Sequence, residues 1–168
     1  MSCQNKPPQQ ATVTPLLRKS NQVIDFSQLS PENISKTASI AVKEAEEQLK
    51  IILAVKDKDF ENTLRAFDRL NNSIYRITMP IELIMEVHPD SGIREACKNA
   101  HTELKDFLYG LDINEDLYKA IKAYSITDEA GQLSPHRKKF LNDIILEYKR
   151  SGFDLDPEKR NLVKTIKT

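Results

Sequence analysis

From Ser30 onward, apolar residues recur at steps of three and four, the spacing that lines one face of a helix. Ile34, Ala38, Ala41, Ala45, Leu49, Ile52 and Leu53 form the first stripe, while Glu44, Glu46, Glu47 and Lys50 fall mostly on the opposite, solvated side. Ser30-Pro31-Glu32 marks its start, because Ser caps free N–H groups and Pro suits the first turn. The second stripe is Phe60, Leu64, Phe67, Leu70, Ile74 and Ile77, with Asp59 placed to cap it. Pro80 is predicted to stop or kink this helix, since it has no N–H and biases Met79 away from helical backbone. A short segment over 81–87 then leads to His88-Pro89-Asp90.

A third helix is predicted from about Ser91 to Tyr109, with Ile93, Ala96, Ala100, Leu104, Phe107 and Leu108 inward and Gly110 as its stop. Asn114 caps a fourth, faced by Leu117, Ala120, Ile121 and Tyr124. Residues 127–133 read as a loop around Gly131. Ser134-Pro135 repeats the Ser-Pro opening; Phe140, Leu141, Ile144, Ile145 and Tyr148 make the stripe, and Gly152 ends it. Asp156-Pro157-Glu158 opens a last helix carrying Leu162, Val163 and Ile166. No stretch alternates as a strand does. The fold class is therefore all-α, about six to seven helices packed as an irregular multi-helix bundle. No repeat of fixed period points to a solenoid.

Residues 1–25 break this pattern. Met1 to Thr14 holds Pro7-Pro8 and Gln9-Gln10 and almost no large apolar residue, so residues 1–25 read as a flexible leader before a helical region over 26–168. It has no basic start followed by an apolar stretch, so no intact signal peptide is present and the chain as it stands reads as cytoplasmic. Cys3 on a polar tether offers an alternative. It resembles the start of a mature bacterial lipoprotein, which would be periplasmic and lipid-anchored if a signal preceded it.

Composition narrows the function. The chain has 168 residues, with 25 Lys+Arg against 25 Asp+Glu. Zero net charge argues against a dedicated nucleic-acid or membrane-surface binder. The four glycines and absent Trp disfavour a phosphate-cradling loop protein and a turn-rich β fold. Two cysteines, Cys3 and Cys97, are too few for a disulfide framework. No apolar run reaches the ~20 residues that span a bilayer.

Candidate chemistry is sparse. Cys97 and His101 stand four apart on one predicted helix and could share part of a zinc site, but two ligands are not a site and no nearby residue completes it. His88 precedes Pro89 in a loop, and His136 lies in a helix's first turn. There is no H-E-x-x-H, G-x-S-x-G, P-loop or G-x-G-x-x-G. The carboxylates around Glu44–Glu47 read as surface charge. Residues 134–168 hold nine Lys and Arg against five Asp and Glu, a basic stretch whose aromatics are not interleaved at stacking positions, so it reads as a solvated face rather than a nucleic-acid surface. Phe60, Phe67, Phe107 and Phe140 sit on stripes and read as core. The residues themselves thus nominate no catalytic, cofactor-binding or metal-binding set.

The order of small motifs goes further. Phe26 with Leu29-Ser30-Pro31-Glu32, Asp59-Phe60-Glu61-Asn62-Thr63-Leu64, Val87-His88-Pro89-Asp90 with Arg94-Glu95-Ala96, then Asn114, Leu117 and Tyr118, come in sequence. The stretch 133–149 with Ser151-Gly152, Leu155 and Arg160 completes the order. Together they resemble the N-terminal helical region of the thimet oligopeptidase family, which includes neurolysin, oligopeptidase A and bacterial dipeptidyl carboxypeptidase. Each piece is a helix start or stop, and the specificity lies in their order. The resemblance implies part of a larger, mainly helical, two-lobed peptidase fold, in which the N-terminal half walls a channel admitting short peptides. Catalytic zinc would sit in the other half, on an H-E-x-x-H helix plus a further glutamate.

None of those zinc-binding residues maps onto this chain. On the resemblance it is an apparently truncated, non-catalytic part of an oligopeptidase, inactive alone, whose last helix should leave apolar surface uncovered. Its partners would be short peptides in the full-length enzyme, with no nucleic acid and no membrane span. A stand-alone helical peptide- or protein-binding module is the alternative.

Overall fold

The computed structural model describes residues 14–17, 23–156 and 158–159. Six α-helices, and no strand, occur among them. Helix α1 spans Pro31–Ala54, α2 Arg65–Val87, α3 Ser91–Asp112, α4 Glu115–Ser125, α5 Asp128–Gly131 and α6 Pro135–Arg150. A single 3-10 turn, Phe26–Gln28, precedes α1, and a π-helical turn, Phe60–Leu64, leads into α2.

The three long helices, of 24, 23 and 22 residues, form the body. Helix α3 packs on both α1 and α2, which also pack on each other. Their sequence stripes are the reason. Ile34, Ala38, Ala41, Ala45 and Ile52 of α1 are buried with Phe67, Leu70, Ile74 and Ile77 of α2 and Ala100, Leu104 and Leu108 of α3. Small alanines on α1 let the neighbouring helices approach it closely. Helix α4 lies against α1, α6 and the π turn, with Leu117, Tyr118, Ala120, Ile121 and Tyr124 buried. At the chain's start, Leu17 N–H donates to the Thr14 carbonyl (2.9 Å) and Leu16 is buried in the core.

Local chemistry sets most helix starts. Ser30 and Asn33 close a reciprocal box: Ser30 Oγ accepts from Asn33 N–H (3.3 Å) and Asn33 Oδ1 from Ser30 N–H (3.0 Å). Asp59 and Asn62 do the same at the π turn, at 2.7 and 3.0 Å. Asp90 Oδ1 accepts from Ile93 N–H (3.0 Å) and Asn114 Oδ1 from Leu117 N–H (2.8 Å). The backbone N–H groups of Ile93 and Gly92 hold the Asp90 carboxyl below the usual carboxylate range. Ser134 departs from the pattern. Helix α6 starts at Pro135 as predicted, but the Ser134 side chain makes no cap bond.

Three sequence expectations give way, and a fourth, the Asp59 cap, holds with a difference. Helix α2 runs through Pro80 to Val87, so 81–87 is not a separate segment. Ile77 and Thr78 before the proline, and Ile81 and Ile84 after it, are all buried, and that burial outweighs one missing N–H. Helix α3 likewise passes Gly110 to Asp112. Leu108 and Leu111 are buried, and the Tyr148 hydroxyl donates to the Leu111 carbonyl (2.9 Å), satisfying a helix-end acceptor. The loop over 127–133 contains the short helix α5, capped by Thr127 Oγ1 accepting from Ala130 N–H (3.2 Å). The Asp59 cap opens a π turn rather than an α-helical one, with Arg65 N–H bonded to the Phe60 carbonyl.

Gly152 does end the last long helix. Its φ of 88° lies in the left-handed region. Gly152 N–H donates to Lys149 C=O (2.9 Å) and Phe153 N–H to Tyr148 C=O (3.2 Å), the two bonds of a Schellman cap. Tyr118, Tyr148 and Phe153 then stack mutually at 5.2–5.3 Å between ring centroids. Asp156 Oδ1 accepts from Lys159 N–H (3.0 Å), a cap at the predicted last opening. The expectation about Leu162, Val163 and Ile166 lies outside the described residues, as does Cys3. Among the described residues no helix is long and apolar enough to cross a membrane.

Candidate functional site

Histidine and cysteine are the natural metal ligands of this chain. Cys97 and His101 do share α3, as their spacing required. Cys97 is fully buried, and that burial pushes its thiol up to about 11, disfavouring the thiolate a metal needs. His101 Nε2 is buried without a hydrogen bond, 3.6 Å from Glu82 Oε1 on α2. Among the described residues no three His, Cys, Asp or Glu side chains converge. This donor set does not fit a zinc ion. His88 works locally: its Nδ1 accepts from Asp90 N–H (3.1 Å), and Arg94 donates to the His88 and Pro89 carbonyls at 2.6 and 2.9 Å. That knot fixes the α2–α3 connection.

The C-terminal end of α6 is polar but saturated. The Tyr118 hydroxyl donates to Asp154 (2.7 Å), and Lys149 and Lys122 stand 3.2 and 3.6 Å from the same carboxylate. The Tyr118 bond, then Lys149, hold the Asp154 carboxyl below its ordinary range. A nearby cavity of about 270 Å³ is lined by Phe67, Asp112, Ile144, Glu147, Tyr148 and Ser151. Its Glu147 carboxylate is already paired with Arg150 at 2.6 Å.

The opposite end of α6 is different. A cleft of about 320 Å³ is lined by Phe60, Arg65, Asp68, His136, Arg137 and Phe140. The Arg137 guanidinium stacks 4.0 Å from the Phe60 ring centroid, with Arg65 at 5.4 Å from the same ring. The Phe60 N–H, left over at the helix start, donates to Glu129 of α5 (3.0 Å), which ties the π turn to the C-terminal layer. Beside Glu129, the Tyr124 hydroxyl is buried without reaching hydrogen-bond geometry. Burial, with the Glu129 and Asp59 charges, pushes that phenol up to about 12. Among the described residues, His136 reaches only Ser134 Oγ, at 3.3 Å. Sequence reading placed Phe60 in the core and His136 in a first turn, and both are there. Their meeting is not encoded locally, because nothing in the sequence links position 60 to position 137.

No family model matches the chain. Arabidopsis thaliana mitochondrial intermediate peptidase is 27% identical over 105 residues, 62% of this chain and 15% of that protein. The Yarrowia lipolytica mitochondrial intermediate peptidase is 23% identical over 142 residues, 83% of this chain and 18% of its own length. Escherichia coli oligopeptidase A is 23% identical over 144 residues, 85% and 21% respectively. These relatives are members of the thimet oligopeptidase family, and the chain is similar to them at modest identity. It spans about a fifth or less of the length of these thimet oligopeptidase relatives. Several motifs that carried the resemblance are helix caps in the structure: the Ser30 and Asp59 boxes, the Asp90 and Asn114 caps and the Gly152 stop.

Proposed function

We propose that this chain is a non-catalytic, N-terminal helical region of a zinc-dependent oligopeptidase of the thimet oligopeptidase family, forming one wall of the channel that admits short peptides. In this reading residues 1–25 lead into the helical region over 26–168, with Leu16 packed into its core, and the zinc chemistry belongs to the rest of the enzyme. The observation that carries it is extent: similarity runs through 85% of this chain but only 21% of oligopeptidase A. A run of exposed apolar side chains on α2, Tyr75, Met79, Leu83 and Val87, adds support. Spaced four apart, they make a face of the kind that packs against further protein.

A chimera tests the reading. The matched stretch of oligopeptidase A is replaced by this chain, and the expected product hydrolyses short peptides in a zinc-dependent manner. A chimera that folds and binds zinc yet leaves peptides intact overturns the proposal. The isolated chain supplied with zinc should cleave nothing; turnover there would refute its non-catalytic part.

A further inference from the structure

We propose that the cleft between the π turn and the start of α6 binds the C-terminal residue of a short peptide, with Arg137 receiving its carboxylate; this rests on the peptide-channel reading above. The Arg137 guanidinium carbon stands 4.0 Å from the Phe60 ring centroid, and Arg137 makes no ion pair among the described residues. Its fork is therefore open to a planar, two-oxygen anion. Arg65 stands over the same ring and is partly neutralised by Glu61 at 3.0 Å, so it adds field more than a second fork.

The start of α6 asks for the same charge. Its first turn carries His136 and Arg137, followed by Lys138 and Lys139, with no acidic residue and no side-chain cap. Cations at the positive end of a helix dipole are unfavourable unless an anion joins them. The rest of the lining fits an amino-acid residue rather than a bare anion. Phe140 offers an apolar wall for a side chain, Phe60 lies buried behind Arg137, and Asp68 lines the same space as an acceptor for the peptide N–H. A volume of about 320 Å³ lies at the small end for a ligand pocket, which suits one or two residues.

Binding to the full chain, read by calorimetry, decides the matter with three probes: N-acetyl-alanyl-phenylalanine as the free acid, the same compound as its C-terminal amide, and inorganic phosphate. The acid should bind about tenfold or more tighter than the amide, the scale of one lost charge-assisted pair. Arg137→Gln should erase that preference and Arg137→Lys should keep part of it. Circular dichroism of each variant should match the parent. Because Arg137→Gln also loosens its stack on Phe60, the acid-to-amide ratio in the unmutated chain is the primary readout. Equal binding of acid and amide, no binding of either, or phosphate binding as tightly as the peptide acid would each overturn the site. The two proposals fail separately. An active chimera with no acid preference removes this site alone, whereas an inactive chimera with the preference intact removes the channel role.

Discussion

Ser30-Pro31 and Ser134-Pro135 open α1 and α6 with the same two residues, yet the two openings end differently. Three positions after Ser30 stands Asn33, whose amide oxygen accepts the Ser30 N–H while its own N–H reaches Ser30 Oγ. Its Nδ2 also donates to the Gln28 carbonyl, so one side chain fixes the turn on both sides. Three positions after Ser134 stands Arg137, which has only donors and cannot close the box. The Ser134 hydroxyl turns to His136 instead. A helix start is thus closed or left open by the fourth residue of the motif, and the Ser-Pro pair only marks the place. Closure at α1 serves the body of the fold. The open start at α6 leaves backbone donors and positive charge beside an aromatic cleft.

That contrast can be broken or sharpened by substitution, with stability read from chemical denaturation. Asn33→Ala should cost most, about 1–3 kcal/mol, since Asn33 is buried and its loss strands groups on both sides. Ser30→Ala should cost about 1 kcal/mol, the usual loss of an N-cap. Arg137→Asn builds at α6 the box that α1 has, and should stabilise by about 0.5–1 kcal/mol. If it destabilises instead, the Arg137–Phe60 stack matters more than the open cap. Ser134→Ala should change stability least, within about 0.5 kcal/mol. A loss as large as that at Ser30 would mean the two openings are equivalent after all.

Much of the fold was legible because caps and stripes are local. Ser30, Asp59, Asn114 and Gly152 announce boundaries through their own side chains, or the lack of one, and the structure keeps all four. Pro80 and Gly110 misled for the opposite reason. Each weakens a helix locally, but their effect is outweighed by partners distant in sequence, such as the Tyr148 hydroxyl at the end of α3. Gly110 offers a direct check. An added Cβ would meet nothing within 4 Å, so Gly110→Ala should stabilise by about 0.5–1 kcal/mol. The candidate cleft was illegible from the residues alone, because it joins positions 60–68 to 136–140 across an interface that no local spacing encodes. The family resemblance was carried by motif order.

The π turn at Phe60–Leu64 holds one residue more than an α-helical turn of the same length would. It behaves as a stored insertion. Deleting one residue there would let α2 continue as a plain α-helix with its downstream phase intact. Everything before the deletion would rotate by about 100°. Phe60 would then leave the Arg137 stack and its N–H would leave Glu129. Chain length at this one turn, rather than residue identity, keeps the two sides of the cleft facing each other. A homologue one residue shorter here would keep the helix and lose the cleft.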